Sequence, residues 1–324
     1  MGEPFISIVT PTYNRKDLLL RHLKALEKQT LPPNEFEVVV IDDGSTDGTD
    51  EFLRSYRPQF RFSFHHQENS GLASSRNAGI RLAAGQVVLL LDDDVMPSPE
   101  LVREHIKPHR QSDDVVVIGS LPYPDDLPQD TFLWYLERIG HFDLYSRKDK
   151  YEAGRPPLQP LNGNSSVRKE HLLRTGLYDE RFQQYGGEDV EFGFRLEKAG
   201  LKWIYAPTAR GFHYHTKNFD DYINDQHRSG KAIAGIFRKH PEIKRARKID
   251  IVTDPLYKIN WRRMPQAVFS RLAHNCPLTV RIARRLALWF GRFFALRGVV
   301  YLLYKYVGYA AYASGIREEL ELTL

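Results

Sequence analysis

The first third of the chain alternates short, largely apolar runs with longer stretches in which apolar residues recur every three or four positions. Residues 5–10, 36–41 and 87–91 read as strands buried on both faces, as in a parallel sheet. Between the first two, Leu19, Leu23 and Leu26 share one face of a helix that opens after Pro11-Thr12-Tyr13-Asn14, with Asn14 as its N-cap. A helix over about 47–56, a half-exposed strand at 60–65 and a helix opening at Ser70 and closing at Gly85 follow. Repeated strand and helix units of this kind predict right-handed crossovers and a sheet with helices on both faces.

The pattern continues with a helix at 99–107 and a strand at 115–119. Residues 120–160 then become irregular, carrying Pro122, Pro124, Pro128, Pro156, Pro157 and Pro160. A segment of that kind inside an α/β chain reads as a lid or substrate loop. Residues 161–167 return as a short strand, 182–187 form a loop, and an amphipathic helix runs from Glu188 to Ala199 until Gly200 ends it. A strand at 203–205 leads through Pro207 to His213-Tyr214-His215. Residues 219–240 and 278–313 read as helical. The expected organisation is a catalytic domain over 1–218, with halves 1–119 and 120–218, and a helical extension over 219–324.

Composition changes this picture in two places. The single cysteine, Cys276, excludes an internal disulfide framework and a cysteine-based zinc site, which fits a cytoplasmic protein. The N-terminus enters a strand pattern without the features of a signal peptide, and no uncharged apolar run is long enough for a spanning helix. The net charge of +5 is unevenly spread: residues 255–317 hold eleven Lys or Arg and no Asp or Glu. Basic residues interleaved with Trp289, Phe290, Phe293 and Phe294 suit a helix lying on the inner face of an anionic membrane. A subdomain packed on the core or an oligomer contact is the plain structural alternative. No nucleic-acid-binding motif accompanies the basic residues.

The candidate chemistry lies where apolar runs end. Val87–Leu91 runs straight into Asp92-Asp93-Asp94, and 36–41 into Asp42-Asp43-Gly44-Ser45, so two strands deliver acids to the carboxyl edge of one sheet. Adjacent carboxylates repel unless a cation or hydrogen-bond donors sit between them, and hard oxygen ligands suit Mg²⁺ or Mn²⁺. Asp92 and Asp94 are therefore read as facing a divalent ion that carries phosphate oxygens; taken alone, each acidic turn is also ordinary capping chemistry. The small residues from Ser70 to Gly79, with Arg76, would suit a diphosphate. Glu188 and Asp189 open a helix, which helix capping explains by itself, and which a general base at the mouth of a site also explains. Neither the phosphate-loop nor the dinucleotide glycine signature is present.

In this order, Pro11-Thr12-Tyr13-Asn14, Asp42-Asp43-Gly44-Ser45, Gly71 to Gly79, Asp92-Asp93-Asp94 and Gly187-Glu188-Asp189 resemble the family 2 glycosyltransferases of the GT-A fold, over roughly residues 5–215. The resemblance implies an inverting, metal-dependent enzyme that moves a sugar from a nucleotide diphosphate sugar, with UDP as the first expectation, to a glycan or lipid-linked acceptor. It implies that Asp43 meets the nucleobase with Pro11 and Tyr13, and that Arg76, Asp92 and Asp93 line the nucleotide-sugar site. Asp94, Asp92 and His213 would hold Mn²⁺ or Mg²⁺, Glu188 would lie on the acceptor side, and Asp189 would be the catalytic base. Without a Q-x-x-R-W motif or spanning helices, single-sugar transfer is expected rather than processive synthesis. A sugar-nucleotide nucleotidyltransferase and a non-catalytic scaffold are the alternatives.

Overall fold

The computed structural model describes residues 3–127, 130–141, 160–161, 163–182, 187–214, 217–244 and 247–321. Its centre is an eight-stranded mixed sheet of order β3-β2-β1-β4-β7-β6-β8-β5. The strands are β1 (Ile6–Thr12), β2 (Phe36–Asp42), β3 (Arg61–His66), β4 (Val87–Leu91), β5 (Val95–Pro97), β6 (Val115–Ser120), β7 (Asn164–Arg168) and β8 (Lys202–His213). The run β3-β2-β1-β4 is parallel, as the apolar runs predict. Beyond it β6 and β8 are again parallel to each other, while β7 enters antiparallel to both β4 and β6, and β5 antiparallel to β8, so the sheet is mostly parallel with antiparallel members.

Helices cover both faces. Leu19, Leu23 and Leu26 of α1 (Lys16–Leu26) pack under one face with Ile6, Ile8, Val38 and Leu89. Ile80 of α3 (Leu72–Leu82) joins Val9, Val39, Ile41 and Leu90 on the other. Each such fully buried aliphatic side chain contributes about 1.5–3 kcal/mol of transfer free energy. Gly79 lets α3 lie against β1 and β2, since a Cβ there would overlap Val9. The remaining helices of this half are α2 (Thr49–Ser55) and α4 (Leu101–His109).

Three local expectations change. Asn14 is not a helix cap: it sits at φ 52° and accepts the Thr46 N–H at 2.7 Å, leaving Arg15 at the N-cap position without a side-chain cap bond. The irregular stretch contains a helix, α5 (Thr131–Ile139), capped by Asp130. The rest of the expected proline-rich loop at 128–129 and 142–159, the loop at 183–186, and His215 lie outside the described residues. The helix expected over 278–313 is two helices, α11 (Pro277–Phe290) and α12 (Arg297–Glu319), with a 3₁₀ turn at Phe294–Leu296 between them.

The C-terminal helices close over the end of the sheet. After α6 (Lys169–Arg174) and α7 (Glu188–Lys198), a capping box at Asn218 and Asp221 starts α8 (Phe219–Lys239). The short α9 (Ile249–Thr253) and α10 (Met264–Asn275) precede α11. α8 and α12 touch backbone to backbone: a Cβ at Gly230 would strike the Tyr312 carbonyl, and one at Gly315 the His227 carbonyl. Phe132 and Tyr135 of α5 join Phe219, Tyr222, Ala283, Val300 and Tyr304 in one cluster, and Val190 of α7 packs with Ile233, Ile236 and Ile316.

Candidate active site

β1 and β4 are neighbours, and their carboxyl ends open on the same edge of the sheet, where open α/β sheets bind ligands. A cavity of about 660 Å³ lies there, lined among others by Pro11, Tyr13, Arg15, Asp43, Arg76, Asp92, Asp93, Asp94, Glu188, Asp189, His213, Lys217, Arg247 and Tyr312. Every residue singled out from the sequence for the donor, the metal and the base therefore lines one cavity.

The two acids at the end of β2, Asp42 and Asp43, separate. Successive strand residues point to opposite faces, and only Asp43 turns inward. Its carboxylate accepts the Ser70 N–H at 3.0 Å, the Gly71 N–H at 2.9 Å and the Gln67 amide at 2.7 Å, which fixes the loop that enters α3. Asp42 instead accepts the Ser45 N–H at 3.1 Å and lies 2.8 Å from His66 Nδ1, so it is a turn residue and not part of a shared acidic site. The Ser70 and Gly71 N–H groups expected to cradle a diphosphate are used by Asp43.

The acidic triplet spreads into three environments. Asp93 accepts from Thr12 Oγ1 at 2.7 Å and Arg15 Nη1 at 3.1 Å; burial pushes its pKa up to about 7 against the pull of Arg15. The same Arg15 nitrogen meets Asp94 Oδ2 at 3.0 Å. Pairing of β5 with β8 sets Val95 opposite His213, which brings His213 Nε2 to 3.5 Å from Asp94 Oδ1. Burial holds His213 below its ordinary value against the field of Asp94 and Asp92, so its imidazole is neutral and can act as a ligand. Asp92 turns the other way, to Arg76 Nη2 at 2.9 Å, with its N–H on the Gly163 carbonyl at 3.2 Å.

Arg76 links the two halves of the cavity. Beyond Asp92 it reaches Glu188 Oε1 at 3.5 Å and lies 5.5 Å from the Tyr178 ring centroid. Next to Glu188, Asp189 is raised to about 7, first by burial and then by the Glu188 charge, with Arg76 acting against both. The Val190 N–H at 2.7 Å and the first turn of α7 orient it. A carboxyl of that pKa is suited to accept a proton near neutrality.

Arg15, Lys217, Arg247 and Tyr312 are among the lining residues that the sequence reading does not name. Arg15 had a local signal: a cation opening a helix opposes the helix dipole and so suggests another duty. Lys217, Arg247 and Tyr312 come from outside the sheet and have no local signal. Burial lowers the Arg247 pKa, while Tyr312 and Asp189 work to raise it. Two other polar clusters hold charges that are already paired. A more open hollow of about 740 Å³ holds the Lys239–Asp179 and Arg195–Glu191 pairs. Asp42, Asp50 and His66 bring donor atoms within 4.8 Å of one another, but Asp42 already pairs with His66 and Asp50 with Arg54.

Residues 7–159 match the model of glycosyl transferase family 2, and residues 145–218 match that of the N-terminal domain of galactosyltransferase. A validoxylamine A glucosyltransferase of Streptomyces hygroscopicus subsp. limoneus is 35% identical over 222 residues, 61% of this chain and 49% of that protein. The chain thus spans about half the length of the curated relatives it matches first. Among solved structures, a mannosyltransferase from Pyrobaculum calidifontis in complex with GDP-Man and Mn²⁺ superposes with a TM-score of 0.63 at 20% identity, covering 97% of this chain and 88% of that one. S. aureus TarS 1-349 in complex with UDP gives 0.52 at 18% identity, covering 98% and 91%. These two likenesses bear on the fold, which is GT-A.

Proposed function

We propose, on the match of residues 7–159 to the model of glycosyl transferase family 2, that the chain moves a single sugar from a nucleotide diphosphate sugar to an acceptor hydroxyl with inversion. The observation that carries this reading is one cavity holding a carboxyl poised near neutrality, Asp189, together with the Asp94 and His213 pair. Asp189 takes the proton of the acceptor hydroxyl as its oxygen bonds to the anomeric carbon, and the bond from that carbon to the diphosphate breaks. Glu188 and Arg76 set the charge of the base. Pro11, Tyr13 and the Asp43-fixed loop form the wall for the nucleoside, and Arg76, Asp92 and Asp93 flank the sugar diphosphate.

A carboxylate and a neutral imidazole 3.5 Å apart are a donor set that Mn²⁺ or Mg²⁺ accepts, so these residues fit the expected ion. Asp94 and His213 would hold it, with Asp92 behind them, and when bound it neutralises the charge that gathers on the leaving diphosphate. Relatives and neighbours bearing names of glucosyl and mannosyl transfer, or solved with UDP or GDP-Man, make UDP- and GDP-sugars the first donors to try. We take the acceptor to be a lipid-linked or cell-surface glycan.

The test is nucleotide diphosphate release by the full chain with Mn²⁺ and a panel of nucleotide sugars. Wild type should release nucleotide from one donor; Asp189→Asn should bind that donor and turn it over at least a hundredfold more slowly, the order expected for loss of a general base. Asp94→Ala should lose metal-dependent nucleotide binding by calorimetry. Undiminished turnover in Asp189→Asn would remove the assigned base, and metal-independent binding would remove the assigned ion site.

A further inference from the structure

The helical region presents to solvent a face that is both apolar and basic. On α11 the buried residues are Ala283 and Ala287, so the helix seats these two small side chains on the Phe132, Val300 and Tyr304 cluster, with Val280 and Phe290 packed beside them, and leaves its other large side chains outside. Leu278, Ile282, Leu286 and Trp289 follow one another at the spacing of a single helical face and are 40–59% exposed. Phe293 and Phe294 continue the strip past the helix end, and Phe269 and Leu272 of α10 are exposed as well. Scattered exposed apolar residues need no explanation, but a strip of this length does.

The charges that α11 and its continuation themselves carry are of one sign. Arg281, Arg285 and Arg292 are exposed, and among the described residues none of them forms an ion pair. Arg284 of the same helix, by contrast, grips Asp220 through both oxygens, at 2.7 and 2.8 Å. No acid occurs anywhere from 255 to 317. A second copy of the chain meeting this face by a two-fold axis would set these arginines against one another, an unfavourable pairing. An anionic surface with an apolar layer beneath it complements both features.

We propose that the α11 face, continued through Phe293 and Phe294, docks on an anionic phospholipid bilayer. Trp289, Phe293 and Phe294 enter the boundary between headgroups and acyl chains, and Arg281, Arg285 and Arg292 meet lipid phosphates. The association is peripheral, since among the described residues no helix is long and apolar enough to cross a membrane. The proposal stands on the exposed face alone and is independent of the transferase reading.

The experiment is co-sedimentation of the full chain with vesicles of phosphatidylcholine and with vesicles of phosphatidylcholine and phosphatidylglycerol, with tryptophan emission read in parallel. Binding is expected to the anionic vesicles only, with a blue shift that disappears in Trp289→Ser. Arg281→Gln with Arg285→Gln should weaken partitioning about thirtyfold, the contribution of two basic residues near an anionic surface. All of these positions are exposed, so the variants should keep the wild-type circular dichroism and melting temperature, which separates lost docking from lost folding. Equal binding to both vesicle types, or no sedimentation with either, would overturn the proposal. So would a dimer in light scattering that Trp289→Ser turns into a monomer, because a second copy would then be the occupant.

Discussion

Glu188→Gln isolates the electrostatic control of the proposed base. Glutamine keeps the shape of Glu188 and an oxygen for the Gly187 N–H, but removes the negative charge beside Asp189. That charge is the second cause, after burial, of the rise of Asp189 to about 7. Withdrawing one adjacent like charge lowers a carboxyl by roughly one unit. The ionised form is the base, so the acid limb of kcat/KM should move toward lower pH. At pH 6 a group with a pKa of about 7 is ionised in about one molecule in ten, and one of about 6 in half of them, so the variant should gain about fivefold there relative to its own plateau. At about pH 8 both are almost fully ionised and the two proteins should agree. The assay is the initial rate of nucleotide diphosphate release at low donor concentration, from about pH 5 to about pH 9. Arg76 keeps its bond to Asp92 at 2.9 Å, so the cavity wall should persist, and a melting curve checks that it does. An acid limb that stays in place, or moves toward alkaline pH, would refute the coupling of Glu188 to Asp189.

Three other perturbations test other parts of the cavity. Asp43→Ala leaves two backbone N–H groups without their acceptor and should cost about 2 kcal/mol or more, read by thermal denaturation, with nucleotide affinity falling alongside in calorimetry. Gly163→Ala puts a methyl into the Asp92 carboxylate; a cost of about 1–3 kcal/mol is expected from the overlap, and the donor KM should rise as Asp92 leaves Arg76. Arg15→Met removes the cation from Asp93 and Asp94, which sit 3.1 and 3.0 Å from it, and should lower the melting temperature. Added Mn²⁺ should recover part of that loss, since a divalent ion supplies charge to Asp94; an equal deficit with and without Mn²⁺ would contradict this.

The legible parts of the fold are those in which one local pattern had one outcome. The run at 87–91 has no polar break and that at 36–41 only Glu37, so both read as strands covered on both faces, and their carboxyl ends placed Asp43 and Asp94 on the same edge. Asp42 does not join Asp43 in the cavity, because successive side chains of a regular strand point to opposite faces and Asp42 is the last residue of β2. Thr131–Ile139 was hidden by the prolines around it, although Asp130 followed by Phe132, Leu133, Tyr135 and Leu136 carries a cap and an apolar face. Arg247 and Tyr312 could not have been found locally: they line the same cavity as Asp189 from 58 and 123 positions farther along the chain, brought there by helix packing.

That packing has a practical consequence. Ser229 and Ile233 of α8 and Tyr312 of α12 line the cavity, and glycines at 230 and 315 fix the spacing of those two helices to within a backbone contact. An attempt to broaden acceptor range by grafting another protein's C-terminal helices would therefore exchange part of the reaction chamber itself, and would fail unless the graft reproduced that spacing. Graded resizing at Ser229 and Ile233, which leaves the glycine contacts in place, is the route by which the pocket can be reshaped without taking the molecule apart.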